Sequence, residues 1–160
     1  MKLLLCLVIL VALLHNINGF SMKMKAGTPF HKYQGLGNDF ILVDNTKSSS
    51  PMLTAADAVK YCNRNFGVGG DGLIFVMPGQ NDCDYTMLIY NSDGTQPQMC
   101  GNGIRCMARY IHEVVEKQPA GTEVTYKIWT DAGEIVPVRR RGGAHIGSIG
   151  SPPDQVGDIQ

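Results

Sequence analysis

Apolar residues fall along this chain in three patterns, and each predicts a different element. Leu3 to Leu14 is one unbroken apolar run, too short to cross a bilayer and suited to the h-region of a secretory signal. Phe40-Ile41-Leu42-Val43, Leu73 to Met77 and Tyr85 to Tyr90 are short stretches bounded by turn formers, which predicts strands. The first is a buried strand leaving a Gly35-Leu36-Gly37-Asn38-Asp39 loop. Ile104, Met107, Ala108, Ile111, Val114 and Val115 recur at the spacing of one helix face, so an amphipathic helix is expected from Gly103 to about Glu116.

Shorter signals fill in the rest. Thr54 with Asp57 three residues later forms a candidate capping box for a helix over Ala55 to Cys62. Pro78-Gly79-Gln80-Asn81-Asp82 reads as a turn, and Ser48-Ser49-Ser50-Pro51 as a linker. Val124, Tyr126 and Ile128 alternate with polar residues, and Asp131-Ala132-Gly133 turns the chain into Glu134 to Val138 as a hairpin. The class is therefore α+β. Beyond Arg141 the chain is rich in Gly, Pro and Ser, and a linker, or the truncated start of a further lobe, is expected over 142–160.

Composition narrows the picture. With 160 residues and 44% of them hydrophobic, the chain holds one packed domain and is not disordered. Fourteen basic residues balance 14 acidic ones, so the basic footprint that a nucleic-acid backbone demands is missing. The cysteines at 6, 62, 83, 100 and 106 contain no C-x-x-C pair, which argues against a zinc cage. Cys83, Cys100, Cys106 and His112 likewise have the spacing of no familiar metal site. A secreted protein with two disulfides among its last four cysteines is an alternative.

Two glycine-rich segments carry candidate chemistry. Gly67-Val68-Gly69-Gly70-Asp71-Gly72 satisfies G-x-G-x-x-G, yet a dinucleotide site needs a strand before the motif and a helix after it. Here the order is reversed, so the glycines read as a tight loop. Cys100-Gly101-Asn102-Gly103 opens the predicted helix, where unpaired N–H groups and a partial positive charge favour an anion such as a carboxylate. The same field favours the thiolate of Cys100. A poised base beside a carboxylate pocket suits abstraction of an α-proton; the alternative is that Cys100 is a small buried hydrophobe. Cys62 and Cys106 are expected in the core.

Four segments together carry a family likeness: Gly35-Leu36-Gly37-Asn38-Asp39-Phe40, Asn65 to Gly72, Asn91-Ser92-Asp93-Gly94, and Cys100-Gly101-Asn102-Gly103-Ile104-Arg105-Cys106. In this order and spacing, over roughly Phe30 to Pro152, the chain resembles diaminopimelate epimerase. Proline racemases share the architecture but typically carry His where Asn102 stands, and phenazine-biosynthesis isomerases lack the cysteine. The resemblance implies one of two pseudo-symmetric lobes, a mixed or antiparallel sheet curled around a central helix, over residues 30–141. It implies interconversion of LL-2,6-diaminopimelate and the meso form in lysine biosynthesis, with neither metal nor pyridoxal phosphate, and a possible homodimer.

By the same resemblance Cys100 is one of two catalytic thiols, and the backbone at Gly101 and Asn102 holds the substrate α-carboxylate. Asn38 and Asn91 bind other polar groups of the substrate, having donor and acceptor to offer; loop and turn chemistry is the alternative for both. Some relatives contact substrate with Gln where Gly72 stands, and Gln34 replaces a His found in many. The second thiol motif would lie after Gln160, so this chain alone is expected to be an inactive fragment. A non-catalytic binding or regulatory half-domain, or a proline racemase-like isomerase, are the alternatives.

The leader fits that identity in one way. Residues 1–19 read as a signal peptide cleaved before Phe20, and 20–29 as an acid-poor, basic transit-like segment. The pair resembles the bipartite plastid presequences of algae whose plastids lie inside the endomembrane system; simple secretion is the alternative. No membrane association is expected of the mature chain.

Overall fold

The computed structural model describes residues 28–140 and 143–149, with side chains to residue 138. The signal peptide, nearly all of the transit-like segment and the last eleven residues lie outside the described residues. Eight strands and two α-helices follow in the order β1 (His31–Gly35), β2 (Asn38–Asp44), α1 (Ala55–Cys62), β3 (Gly72–Pro78), β4 (Tyr85–Asn91), α2 (Gly101–Tyr110), β5 (Val124–Thr125), β6 (Ile128–Thr130), β7 (Gly133–Arg140) and β8 (Gly143–Ile149).

The strands form one mixed sheet in the order β1-β2-β3-β4-β6-β7-β5, with β8 also paired to β7. β2 runs parallel to β3, and β4 to β6, while the other pairings are antiparallel. Helix α2 touches β1, β2 and β3 from one side and β7 and β8 from the other, so the sheet curls around it. Both faces of the central strands are covered. Phe40, Leu42, Ile74 and Val76 point to α2, with Ile104, Met107 and Ile111. Their neighbours Ile41, Val43, Leu73 and Phe75 point the opposite way, to Ala58, Tyr61 and Cys62 of α1. Burial on two faces is why these strands read as continuous apolar runs rather than as alternation.

The local signals act as expected where side chains close them. Thr54 and Asp57 make a reciprocal capping box on α1. The buried Asn45 side chain donates to the carbonyls of Ser48 and Ser50 and accepts from the Met52 N–H, knitting the serine segment into a fixed turn. α2 continues into a π-helical turn over Ile111–Val115, closed by Glu116 N–H on the Ile111 carbonyl at 2.8 Å.

Three elements differ from the sequence expectation. β1 was not foreseen: the 35–39 segment is not an open loop but a hairpin with Leu36 and Gly37 at its tip, both at positive φ (53° and 88°), the geometry of a tight primed turn. The alternating segment from Val124 to Ile128 is split, because Asp84 takes the Lys127 N–H with its carboxylate and gives its own N–H to the Lys127 carbonyl. Residues 143–149, expected as linker, form β8 against β7: a strand interrupted by glycine, with no regular apolar alternation, acquires its place from pairing.

Candidate active site

Strand register gathers the motif segments at one end of the sheet. Phe40 pairs with Gly72 across the parallel β2–β3 ladder, and Gly72 pairs with Asn91 across β3–β4. The start of β2, the start of β3 and the end of β4 therefore share one rim. α2 begins there too, because the Asn102 side-chain Nδ2 donates to Asn38 Oδ1 at 2.7 Å.

Cys100 is the N-cap of α2, in extended backbone, and is half-buried. Its Sγ accepts the Gly103 N–H at 3.4 Å, so the thiol lies over the first helical turn. Space beneath it is tight: a Cβ on Gly103 would stand 3.0 Å from Ile74 Cδ1 and 3.5 Å from Cys100 Sγ. The first turn carries no acidic residue, so the positive end of the helix is left for an anion from elsewhere.

The other cysteines sit in different surroundings. Cys62 and Cys106 are buried, and burial pushes each thiol up to about 11, helped by Asp39 at Cys62 and by Cys100 at Cys106. Cys83 is raised by burial and by the Glu134 carboxylate. Thiolate and access together govern alkylation. Iodoacetamide at mildly alkaline pH is thus expected to label Cys100 first among the described cysteines, with Cys62 and Cys106 labelled only on unfolding, as peptide mass spectrometry would show.

Behind Asn38 lies an ionic cluster that sequence reasoning missed. Asn38 Nδ2 donates to Asp71 Oδ2 at 3.2 Å, and the Asp39 N–H donates to the same oxygen at 3.0 Å. Arg64 bridges Asp39 and Asp71 through three hydrogen bonds, and Lys32 meets Asp39 at 2.9 Å. The Arg64 guanidinium holds the Asp39 carboxyl well below the usual carboxylate range; burial opposes it in part, and Lys32 adds to it. A carboxyl depressed in the folded state stabilises above its unfolded value, near pH 4, and that stabilisation is lost as pH falls through the folded value. Removing the pairing in Arg64→Ala should accordingly move the acid-unfolding midpoint to higher pH, read by circular dichroism.

Of the residues expected at the site, Cys100, Gly101 and Asn102 share the helix end, and Asn38 is bonded to it. Asn91 lies on the same rim, but its Nδ2 is committed to Thr95 Oγ1 at 2.9 Å. Its strand end is tied to the cluster by the Ser92 N–H on the Asp71 carbonyl. Gly72 is cramped: a Cβ there would lie 2.9 Å from the Tyr90 carbonyl oxygen. The glycines at 67, 69 and 70 lie in a loop between a helix and a strand, as expected, while Gly72 opens β3, and Gly67 packs where a Cβ would fall 2.5 Å from the Tyr61 carbonyl oxygen. Among the described residues no three His, Cys, Asp or Glu side chains stand close enough to hold a metal ion.

A curled mixed sheet around a helix is also the architecture of solved structures that share little sequence with this chain. A probable proline racemase from Agrobacterium radiobacter matches with a TM-score of 0.56 at 13% identity, over 76% of this chain and 41% of that one. A hydroxyproline epimerase from Agrobacterium vitis matches with 0.54 at 13%, over 72% and 38%. These likenesses establish the fold. The family model for diaminopimelate epimerase matches residues 30–147, and the chain belongs to that family. The diaminopimelate epimerase of Acaryochloris marina is 54% identical over 77% of this chain and 43% of its own length. The chloroplastic diaminopimelate epimerase of Oryza sativa subsp. japonica is 56% identical over 77% and 34%. The chain thus spans less than half the length of these curated relatives.

Proposed function

We propose that this chain forms the N-terminal lobe of a diaminopimelate epimerase that interconverts the LL and meso isomers by two-thiol proton transfer. The observation that carries it is Cys100 capping α2 above a glycine-rich first turn free of acidic side chains. A substrate carboxylate seated on the Gly101 and Asn102 N–H groups brings its α-carbon to the thiol. There a thiolate removes the α-proton, or the protonated thiol returns one, while the helix end stabilises the charge that grows on the carboxylate. One thiol serves one face of the α-carbon, and inversion needs a second on the opposite face. That second thiol comes from a second lobe, in keeping with a chain spanning 43% of its relative, and the lobe alone is inactive.

Asn38 and Asn91 sit on the rim to take further polar groups of the substrate. A plastid is the proposed destination, supported by the chloroplastic rice relative and the character of the first 29 residues. The test joins residues 30–147 to the second half of the Acaryochloris marina relative. The hybrid is expected to convert LL-diaminopimelate to the meso isomer on chiral chromatography; a folded hybrid without conversion would leave a non-catalytic half-domain.

A further inference from the structure

The Asn38–Asn102 contact has a direction, and the ionic cluster sets it. A carboxylate offers only acceptors, so Asn38 must turn its Nδ2 toward Asp71 Oδ2; the reverse orientation would set two acceptors 3.2 Å apart. Asn38 Oδ1 is then left facing Asn102, which must answer with its own Nδ2, because a flipped Asn102 would put two carbonyl oxygens 2.7 Å apart. Asn102 Oδ1 is in turn left as an acceptor, and among the described residues it accepts no hydrogen bond. Asp71 is itself pinned, by Arg64 on Oδ1 at 2.9 Å and by the Asp39 N–H on Oδ2.

We propose that Asp71 is a positioning residue that fixes the polarity of this relay. The mouth of α2 thereby presents a carbonyl acceptor beside its N–H donors and selects ligands that carry an ammonium next to a carboxylate. The selection of ligand rests on the proposed function; the orientation of the relay does not. Either asparagine alone could present donor or acceptor equally well, and the distant carboxylate removes that choice.

The orientation is read without ligand, as a scalar coupling across the hydrogen bond from Asn102 Nδ2 to Asn38 Cγ in the isotopically labelled chain. It is expected in the unaltered chain, lost in Asp71→Ala, and kept in Arg64→Ala, which disturbs the same cluster but leaves the acceptor carboxylate in place. A coupling in the opposite sense in the unaltered chain, from Asn38 Nδ2 to Asn102 Cγ, would overturn the proposal even if Asp71→Ala fails to fold. So would a coupling that survives Asp71→Ala.

The ligand arm compares diaminopimelate with pimelate, the same dicarboxylate lacking both ammonium groups, by titration of the chain. The preference for diaminopimelate is expected to fall about tenfold in Asp71→Ala, the scale of one misdirected hydrogen bond to a charged group, and to hold within a factor of about two in Arg64→Ala. Equal weakening of both ligands in Asp71→Ala would mark Asp71 as merely structural and end the positioning claim. An intact relay in a chain with no preference for diaminopimelate would instead overturn the substrate reading.

Discussion

In the hybrid that joins residues 30–147 to a relative's second lobe, Cys100→Ala is expected to lower turnover by about 10²–10⁴, the usual contribution of a positioned acid or base. KM should change little, because the proposed carboxylate contacts are backbone N–H groups at 101 and 102 that the substitution leaves in place. Stopped assays by chiral chromatography give both constants. Among the described residues the thiol accepts one hydrogen bond, from Gly103, so alanine removes little of what shapes the helix end. A Cys100→Ala hybrid with unchanged turnover would return Cys100 to the role of a small apolar cap.

The largest effect on stability is expected one turn further along the same helix. Ile104 is fully buried in the cluster between α2 and the concave face of the sheet, among Phe40, Ile74 and Met107. Ile104→Ala removes three carbons from a packed site and should cost about 2–5 kcal/mol, a fall in Tm on the order of 10 °C. The same truncation at Val59, which is 43% exposed, should stay within about 1 kcal/mol. Thermal and urea unfolding followed by circular dichroism compare the two, and near-equal losses would contradict the core described above.

What could be read from the chain beforehand follows burial closely. β2 and β3 are enclosed on both faces, so their apolar runs announce them, and α2 shows its helical period because its apolar stripe faces the sheet. β1 gives no such signal: its residues are exposed or half-buried, and its place comes from a turn in which Leu36 takes a conformation that usually calls for Asn or Gly. β8 is likewise assigned by its pairing with β7.

The site divides along the same line. The helix start at Cys100, Gly101 and Asn102 was legible because consecutive residues define it locally. Asn38 was named from the family likeness, but its partner Asp71 lies 33 residues away and meets it only through the parallel β2–β3 crossing. Arg64, Asp39 and Lys32 are joined by the same topology. The one local sign was an acidic residue inside a run of glycines at the entrance to an apolar strand, where no packing role explains a charge.

The most direct test of the whole account is the fate of the substrate α-proton in D2O. In the hybrid, LL-diaminopimelate is predicted to gain one solvent deuteron at the inverted α-carbon of the meso product, with the incorporation lost in Cys100→Ala. Meso product formed with the original proton retained would contradict proton exchange through opposed thiols, and with it the role assigned to Cys100.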